Sequence, residues 1–344
     1  MQFFNWVDQT MIHQKVISFP SSGVEFLERA PPQDSDLYEI HLSLVDLIRG
    51  LIPTETDVKI RQNIVDTTRD RIKENLRHID SKFIVLPCGS CMNGTFLPHS
   101  DIDIAVFSYP SPCNPQEIMD SLIRGLGDIV VDNSFIPLPQ ASVPVLKFSV
   151  RPGIPVDLSF DELHGPLSVA PTRTIFELVP EILAAQLFFK SVLRLHQLDQ
   201  PYSGGISSYS LQLMLTAYVQ IFGKQDNITE FILGFCDYFG NKFNYVLTGI
   251  DVSNHGCLFS RYEEEYMTYE PPTTLCIKDP LNPRNKLGQN SFKIPEIKYV
   301  FSDIYTSIKS GKGQQIIESL SQQLIEIHHI HQVIGDYLEE MPNI

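Results

Sequence analysis

Nowhere in the 344-residue chain does an uncharged apolar run approach the roughly 20 residues that a membrane span requires. Met1–Ile12 holds no long apolar core behind a basic flank, so neither a signal segment nor a membrane anchor is expected. A soluble intracellular protein is the default. Cysteine is sparse: six thiols (Cys88, Cys91, Cys113, Cys236, Cys257 and Cys276) in a large chain make no disulfide framework and point to a reducing compartment. Only Cys88 and Cys91 have metal-ligand spacing, and no second Cys/His pair lies near them, so no structural zinc is expected. The His328-His329-Ile330-His331 cluster reads as a surface feature of a late polar helix. Positive charge is also short. With 26 Lys and Arg against 41 Asp and Glu the net charge is −15, which disfavours a chain that grips nucleic acid unaided. Either a local basic strip suffices (Lys278, Arg284, Lys286, Lys293 and Lys298 against only Asp279 and Glu296) or a basic partner supplies the affinity. There is no internal repeat, low-complexity segment, zinc knuckle or Arg/Gly-rich tail.

What is present is an ordinary globular composition, 43% hydrophobic and 19% charged, in a length that suits two domains of roughly 100 to 200 residues each. The most informative stretch is Pro87–Phe107. The apolar run Phe83-Ile84-Val85-Leu86 predicts a strand, followed by small-residue turns at Gly89-Ser90 and Gly94-Thr95. A second strand alternates Asp101 and Asp103 with Ile102 and Ile104, which places both acids on one face. Two adjacent like charges repel unless a cation lies between them, and hard carboxylate oxygens suit magnesium. A third acid, Asp157, sits within Pro155-Val156-Asp157-Leu158-Ser159-Phe160. A lone carboxylate on a core strand is costly, so it is expected to join the other two; the alternative is a solvated edge position.

Around this stretch, residues 1–36 read as an irregular lead-in, and two helices are expected within 37–80, the second starting at Thr54 or Glu55. Strands are predicted at 128–132, 143–150 and 153–160. Beyond Pro171 the chain becomes mostly helical. A long helix is expected over 174–198 with a kink or restart at Pro180, on which Lys190 and Arg194 share a face. That pair suits a polyphosphate or forms a solvated basic stripe. In Tyr202-Ser203-Gly204-Gly205-Ile206-Ser207-Ser208-Tyr209 a glycine turn feeds an apolar helix, a ready anion site, although Ser207 or Ser208 could equally be a plain helix cap. An exposed acidic and aromatic segment is expected at 261–269, a turn-rich loop at 279–290, and closing helices at 294–308 and 314–338.

Taken together, Gly89-Ser90, Gly94-Thr95, Ser100-Asp101-Ile102-Asp103 and the later Asp157 resemble the polymerase-beta-like nucleotidyltransferase superfamily. Three further blocks are similar to the noncanonical poly(A) RNA polymerase family of nuclear RNA surveillance: the Gly-Gly-Ile-Ser-Ser-Tyr-Ser-Leu core of 202–214, Phe243-Asn244-Tyr245 with Thr248-Gly249-Ile250, and Ile277-Lys278-Asp279-Pro280-Leu281. The similarity runs from about Leu37 to about Ile308 in the family's order.

The resemblance implies an α/β plus α architecture: a small mixed-sheet nucleotidyltransferase domain at 81–165 facing, across a cleft, a mainly helical central domain at 166–344. The helices of 37–80 would pack with the central domain, which carries a nucleotide-recognition loop near 277–292. It implies a polynucleotide adenylyltransferase that adds AMP from ATP to RNA 3′ ends using two Mg2+ or Mn2+ ions. Asp101 and Asp103 would hold both ions and Asp157 the one that activates the 3′ hydroxyl. Gly89, Ser90, Lys190 and Ser208 would cradle the triphosphate, with Arg194 a more variable contributor; Tyr209 would stack on the base, Gly165 would lie near the nucleotide, and Asn285 would read the base edge. Two positions depart from the family pattern. Gln289 stands where members commonly carry Arg, and His164 precedes Gly165 where Asn is common. The uridylyl-adding branch tends to have His at the position of Asn285, which favours ATP here. A terminal uridylyltransferase and a catalytically silent RNA- or protein-binding scaffold are the competing readings. Nuclear residence follows from the family alone, whereas an RNA-binding partner protein is expected from the acidic balance and the lack of a zinc knuckle or Arg/Gly-rich tail.

Overall fold

The computed structural model describes residues 15–79, 82–98, 100–109, 112–151, 153–253, 257–262 and 274–323. The 328–331 cluster and much of the 261–269 and 314–338 segments lie outside them. Among the described residues, contacts divide the chain into two compact units, one built on 15–19 and Pro53–Arg173, the other on Pro20–Ile52 and 174–323.

The lead-in is not wholly irregular, because α1 (Ser21–Leu27) is helical and buries Phe26 and Leu27. Two helices follow, α2 (Tyr38–Leu51) and α3 (Glu55–Asn75), and they belong to different units. This corrects the expectation that both pack with the helical domain. The apolar side of α3 (Ile64, Val65 and Ile72) enters the core under the first unit's sheet, whereas α2 buries Leu44 and Ile48 in the second unit. Helix α3 starts where Thr54 and Asp57 form a capping box: Thr54 Oγ1 accepts from the Asp57 N–H at 3.1 Å, and Asp57 Oδ2 accepts from the Thr54 N–H at 2.8 Å.

The first unit's sheet contains β1 (Lys82–Cys88), β2 (Ile102–Tyr109), β3 (Ile136–Leu138), β4 (Val145–Val150) and β5 (Ile154–Phe160), in the order β1-β2-β5-β4-β3. Only β2 and β5 run parallel. The four-residue α4 (Ser90–Asn93) follows β1, and α5 (Pro115–Gly125) follows β2. Residues 128–132 do not form the expected strand. The N–H groups of Ile129 and Val130 donate to Leu126 O in a turn that follows α5, and Val130 makes only an isolated bridge to Val150. Alternation sorts the faces. Ile102, Ile104 and Val106, Leu146, Phe148 and Val150, and Val156, Leu158 and Phe160 all join one apolar cluster with Leu122 of α5. The opposite face carries Cys88, Ala105 and Phe107.

The chain then forms α6 (His164–Leu178) and α7 (Pro180–Leu195) as two helices with a break at Val179, so of the expected kink or restart at Pro180 it is the restart that occurs. Pro180 at the first turn lacks an N–H and starts a helix more readily than it continues one. In the second unit, α8 (Ser208–Phe222) and α9 (Ile228–Asp237) lead through a π-helical turn, Tyr238–Lys242, to a small sheet. Its strands are β6 (Thr248–Asp251), β7 (Cys257–Ser260), β8 (Ile277–Lys278) and β9 (Lys286–Leu287), in the order β7-β6-β8-β9, and α10 (Ile294–Lys309) follows. The core here is aromatic: Phe235 packs against Phe189 at 4.5 Å between ring centroids, Phe239 at 4.8 Å and Phe301 at 5.4 Å. Arg261, expected in an exposed segment, is buried and donates to the carbonyls of Tyr245 at 2.5 Å and Thr274 at 2.9 Å. Among the described residues, no helix is long and apolar enough to cross a membrane.

Candidate active site

Strand register lays four side chains in a row across the first unit's sheet. Cys88 pairs with Asp103, Asp103 with Asp157, and Asp157 with Lys147, across β1, β2, β5 and β4 in turn. The apolar sequence neighbours of Asp103, Asp157 and Lys147 point to the opposite face, so pleating fixes these three on the other one. Asp101 stands at the start of β2, and its charge acts on both Asp157 and Lys147. Register thus sets Asp103 beside Asp157, and Asp101 lies near enough for its charge to be felt there. Lys147 was not anticipated, yet it carries the same signal as Asp157, a lone charge among apolar residues on a strand.

Lys147 donates to Asp157 Oδ2 in a close ion pair. Burial raises the Asp157 pKa above the ordinary carboxylate range, opposed by the hydrogen bond from Lys147 and reinforced by the charge of Asp101. Burial pulls Lys147 down, but its bond to Asp157 and the charges of Asp157, Asp101 and Asp103 outweigh this and leave its pKa raised. The ammonium thus offsets part of the negative charge on this face. Among the described residues no three His, Cys, Asp or Glu side chains converge closely enough to hold an ion as they stand. The donor set is nonetheless suited to a hard divalent cation, namely carboxylates on neighbouring strands beside a turn that leaves them room.

That turn is the Gly89-Ser90 pair. Gly89 has φ 66°, and a Cβ there would lie 1.9 Å from Asp103 Oδ2, so only glycine admits the carboxylate at this point. Gly165 touches the same corner, since a Cβ on it would meet Cys88 Sγ at 3.0 Å. Behind the turn, buried Arg61 donates to the carbonyls of Leu97 at 3.1 Å and Pro98 at 2.9 Å, lies 4.7 Å from the Phe96 ring centroid and steadies the loop leading to Asp101. Cys88 and Cys91 are both buried. Burial and the charge of Asp103 push both thiols up, with Arg61 opposing this at Cys91, so both fill the turn as neutral thiols.

The remaining predicted residues belong to the second unit. Lys190 and Arg194 both lie on α7, but Arg194 is exposed and pairs with Asp199 at 3.2 Å. Ser207 is the cap of α8, accepting from the Ser210 N–H at 3.0 Å, and Ser208 is the first helical residue. Tyr209 donates its hydroxyl to Asp279 at 3.2 Å, and Asn285 Nδ2 donates to the same carboxylate at 2.7 Å. Burial, with the charge and hydrogen bond of Asp279, raises the Tyr209 pKa, so its hydroxyl stays protonated. Asp279 is a second residue whose importance was not read from the sequence beyond its place in an Asp-Pro turn. Gln289 is exposed. Of the anticipated basic strip, Lys278 is engaged by Asp251 at 3.6 Å and by the Phe259 ring at 4.3 Å.

Comparison with known proteins places this geometry. Residues 40–168 match the mitochondrial-like poly(A) RNA polymerase central palm domain, and residues 227–285 match the Cid1 family of poly A polymerases. The chain is 25% identical over 263 residues to poly(A) RNA polymerase CID14 of Cryptococcus neoformans, covering 74% of this chain and 34% of that protein. It is 26% identical to poly(A) RNA polymerase gld-4 of Caenorhabditis elegans, covering 77% and 33%. A Drosophila melanogaster relative described as inactive, the noncanonical poly(A) RNA polymerase protein Trf4-2, is 27% identical, covering 70% and 62%. The chain thus spans about a third of the first two relatives and less than two thirds of the third. Among solved structures, the polymerase core of TRAMP, an RNA surveillance complex, superposes with TM-score 0.65 at 20% identity, covering 92% of this chain and 98% of that one. A mutant of the Cid1 poly(U) polymerase bound to MgATP gives 0.67 at 18% identity, covering 83% and 99%. The fold is therefore that of a nucleotidyltransferase polymerase core. Within that class, with two family models matched in order over more than half of its length, the chain belongs to the noncanonical poly(A) RNA polymerase family.

Proposed function

We propose that the protein adds AMP from ATP to the 3′ end of RNA without a template. The observation that carries this reading is the register-fixed pairing of Asp103 with Asp157 on one sheet face, against a Gly89 turn at which any Cβ would displace the Asp103 carboxylate. Asp101 and Asp103 are assigned to hold both divalent ions and Asp157 to hold the one nearer the RNA hydroxyl. When bound, such ions lower the pKa of the attacking hydroxyl and offset charge on the departing pyrophosphate. Attack on the α-phosphate is in line and needs no covalent intermediate and no histidine base. Gly89 and Ser90 bind the triphosphate through backbone and hydroxyl, Gly165 keeps the adjoining corner open, and Lys190 and Ser208 supply further phosphate contacts. Tyr209 stacks on the base, and Asn285 reads its edge. Arg194 and Gln289 are minor contributors, the first engaged by Asp199 and the second exposed.

The net charge of −15 supports a further part of the proposal, that a basic RNA-binding partner supplies affinity for the substrate, and the likeness to the core of a surveillance complex agrees with it. Addition by the isolated chain is then weak and distributive, with nuclear RNA surveillance, processing or decay as the setting. Uridylyl transfer is the alternative worth testing, because the likeness to a poly(U) polymerase core is as close as that to the TRAMP core. Incubation with labelled RNA and each of the four nucleotides separates the two: the reading predicts extension with ATP, and preferential extension with UTP replaces it.

A further inference from the structure

The loop after β8 holds a buried carboxylate between two residues assigned to the base. Asp279 is 2% exposed. Its Oδ1 accepts from the Tyr209 hydroxyl at 3.2 Å and from the Leu281 N–H at 2.9 Å, and its Oδ2 accepts from Asn285 Nδ2 at 2.7 Å. The main chain of Asn285 is held as well, its N–H donating to Asn282 O at 2.8 Å and its carbonyl accepting from the Leu287 N–H at 3.2 Å. All of these residues lie in one compact unit.

An asparagine amide is two-sided. Turned one way it presents a donor, and turned the other way it presents an acceptor, at nearly the same position. A carboxylate removes that freedom because it only accepts, so the amide nitrogen of Asn285 must face Asp279 and the carbonyl oxygen is directed away. The group left to read a ligand is an acceptor. An exocyclic amino group, such as the 6-amino of adenine, donates to it; an oxo group in the same place sets lone pairs against lone pairs and leaves a polar atom unsatisfied, which costs roughly ten- to a hundredfold in selectivity.

We propose that Asp279 is a specificity-positioning residue: by holding Asn285 through its amide nitrogen, it commits the pocket to bases that carry an amino group and turns away their oxo counterparts. The inference rests on the reading of Tyr209 and Asn285 as the base site. It goes further by assigning the selectivity to a residue that need not touch the base.

The test compares kcat/KM for ATP and for inosine triphosphate, which replaces the 6-amino group with oxo, on a labelled RNA primer. The wild-type protein prefers ATP by about tenfold or more. In Asp279→Asn the new amide can donate to Asn285, freeing that amide to turn over, and the ATP-to-inosine-triphosphate ratio falls about tenfold, chiefly through better use of the oxo nucleotide. A purely structural role would slow both nucleotides alike and leave the ratio unmoved. Asn285→Leu, which deletes the acceptor and keeps Asp279, lowers the ratio too, and it carries the test if Asp279→Asn does not fold by circular dichroism. An unchanged ratio in a folded variant of either kind overturns the proposal, as does equal use of the two nucleotides by the wild type. If the wild type extends RNA with no nucleotide at all, the reading of the site fails, and the proposal with it.

Discussion

The two groups of proposed site residues are held by different means. Asp103, Asp157 and Lys147 are placed by backbone pairing, since once β2, β5 and β4 are in register their side chains have no other face to occupy. Tyr209 and Asn285 are instead placed by a side chain, Asp279, which draws on a helix N-terminus and a loop at once. A backbone-fixed group survives any change that keeps the sheet, whereas a side-chain-fixed group can be retuned by one substitution. The chemistry is therefore expected to be rigid and the base preference adjustable.

The largest effect that would probe this difference comes from the backbone-fixed group. Asp101→Ala and Asp103→Ala each lower RNA extension by about a thousandfold or more, with circular dichroism and melting temperature close to wild type. Near-normal extension in either would remove the metal assignment. Gly89→Ala comes next, because its Cβ must displace the Asp103 carboxylate at a positive φ; a loss of about 1–2 kcal/mol in chemical denaturation and a tenfold to hundredfold slower extension are expected. Lys190→Ala has a smaller effect. It raises KM for ATP about tenfold with little change in kcat, which steady-state kinetics would resolve. Smallest is Lys147→Met, which leaves Asp157 beside Asp101 and Asp103 without its partner. The melting temperature in chelator falls by a few degrees, and magnesium restores more of it than it adds to the wild type.

The same difference governs what the sequence made legible. Alternation of Asp101 and Asp103 with isoleucines, and Asp157 among apolar neighbours, disclosed the acidic face because period-2 patterning is local. Lys147 was equally visible in Val145-Leu146-Lys147-Phe148, but a lysine on a strand draws less notice than a carboxylate. The division of the first two long helices between units was not legible, since both carry apolar residues at helical spacing and only the three-dimensional contacts show which core each fills. The strand expected at 128–132 failed for a related reason: a short apolar run reads alike as a strand and as a buried turn after a helix that touches the sheet at one bridge. Asp279 was hidden because its hydrogen-bond partner Tyr209 lies 70 residues away, a separation at which a single sequence carries no signal.

The central claim is tested most directly by one extension assay, in which the wild-type chain, a 5′-labelled RNA and magnesium are combined with each nucleotide in turn and Asp103→Ala serves as the blank. The account predicts a ladder of products with ATP, weaker or absent with UTP, and none in the blank. Extension that persists in Asp103→Ala, or a ladder formed with UTP in preference to ATP, would contradict it.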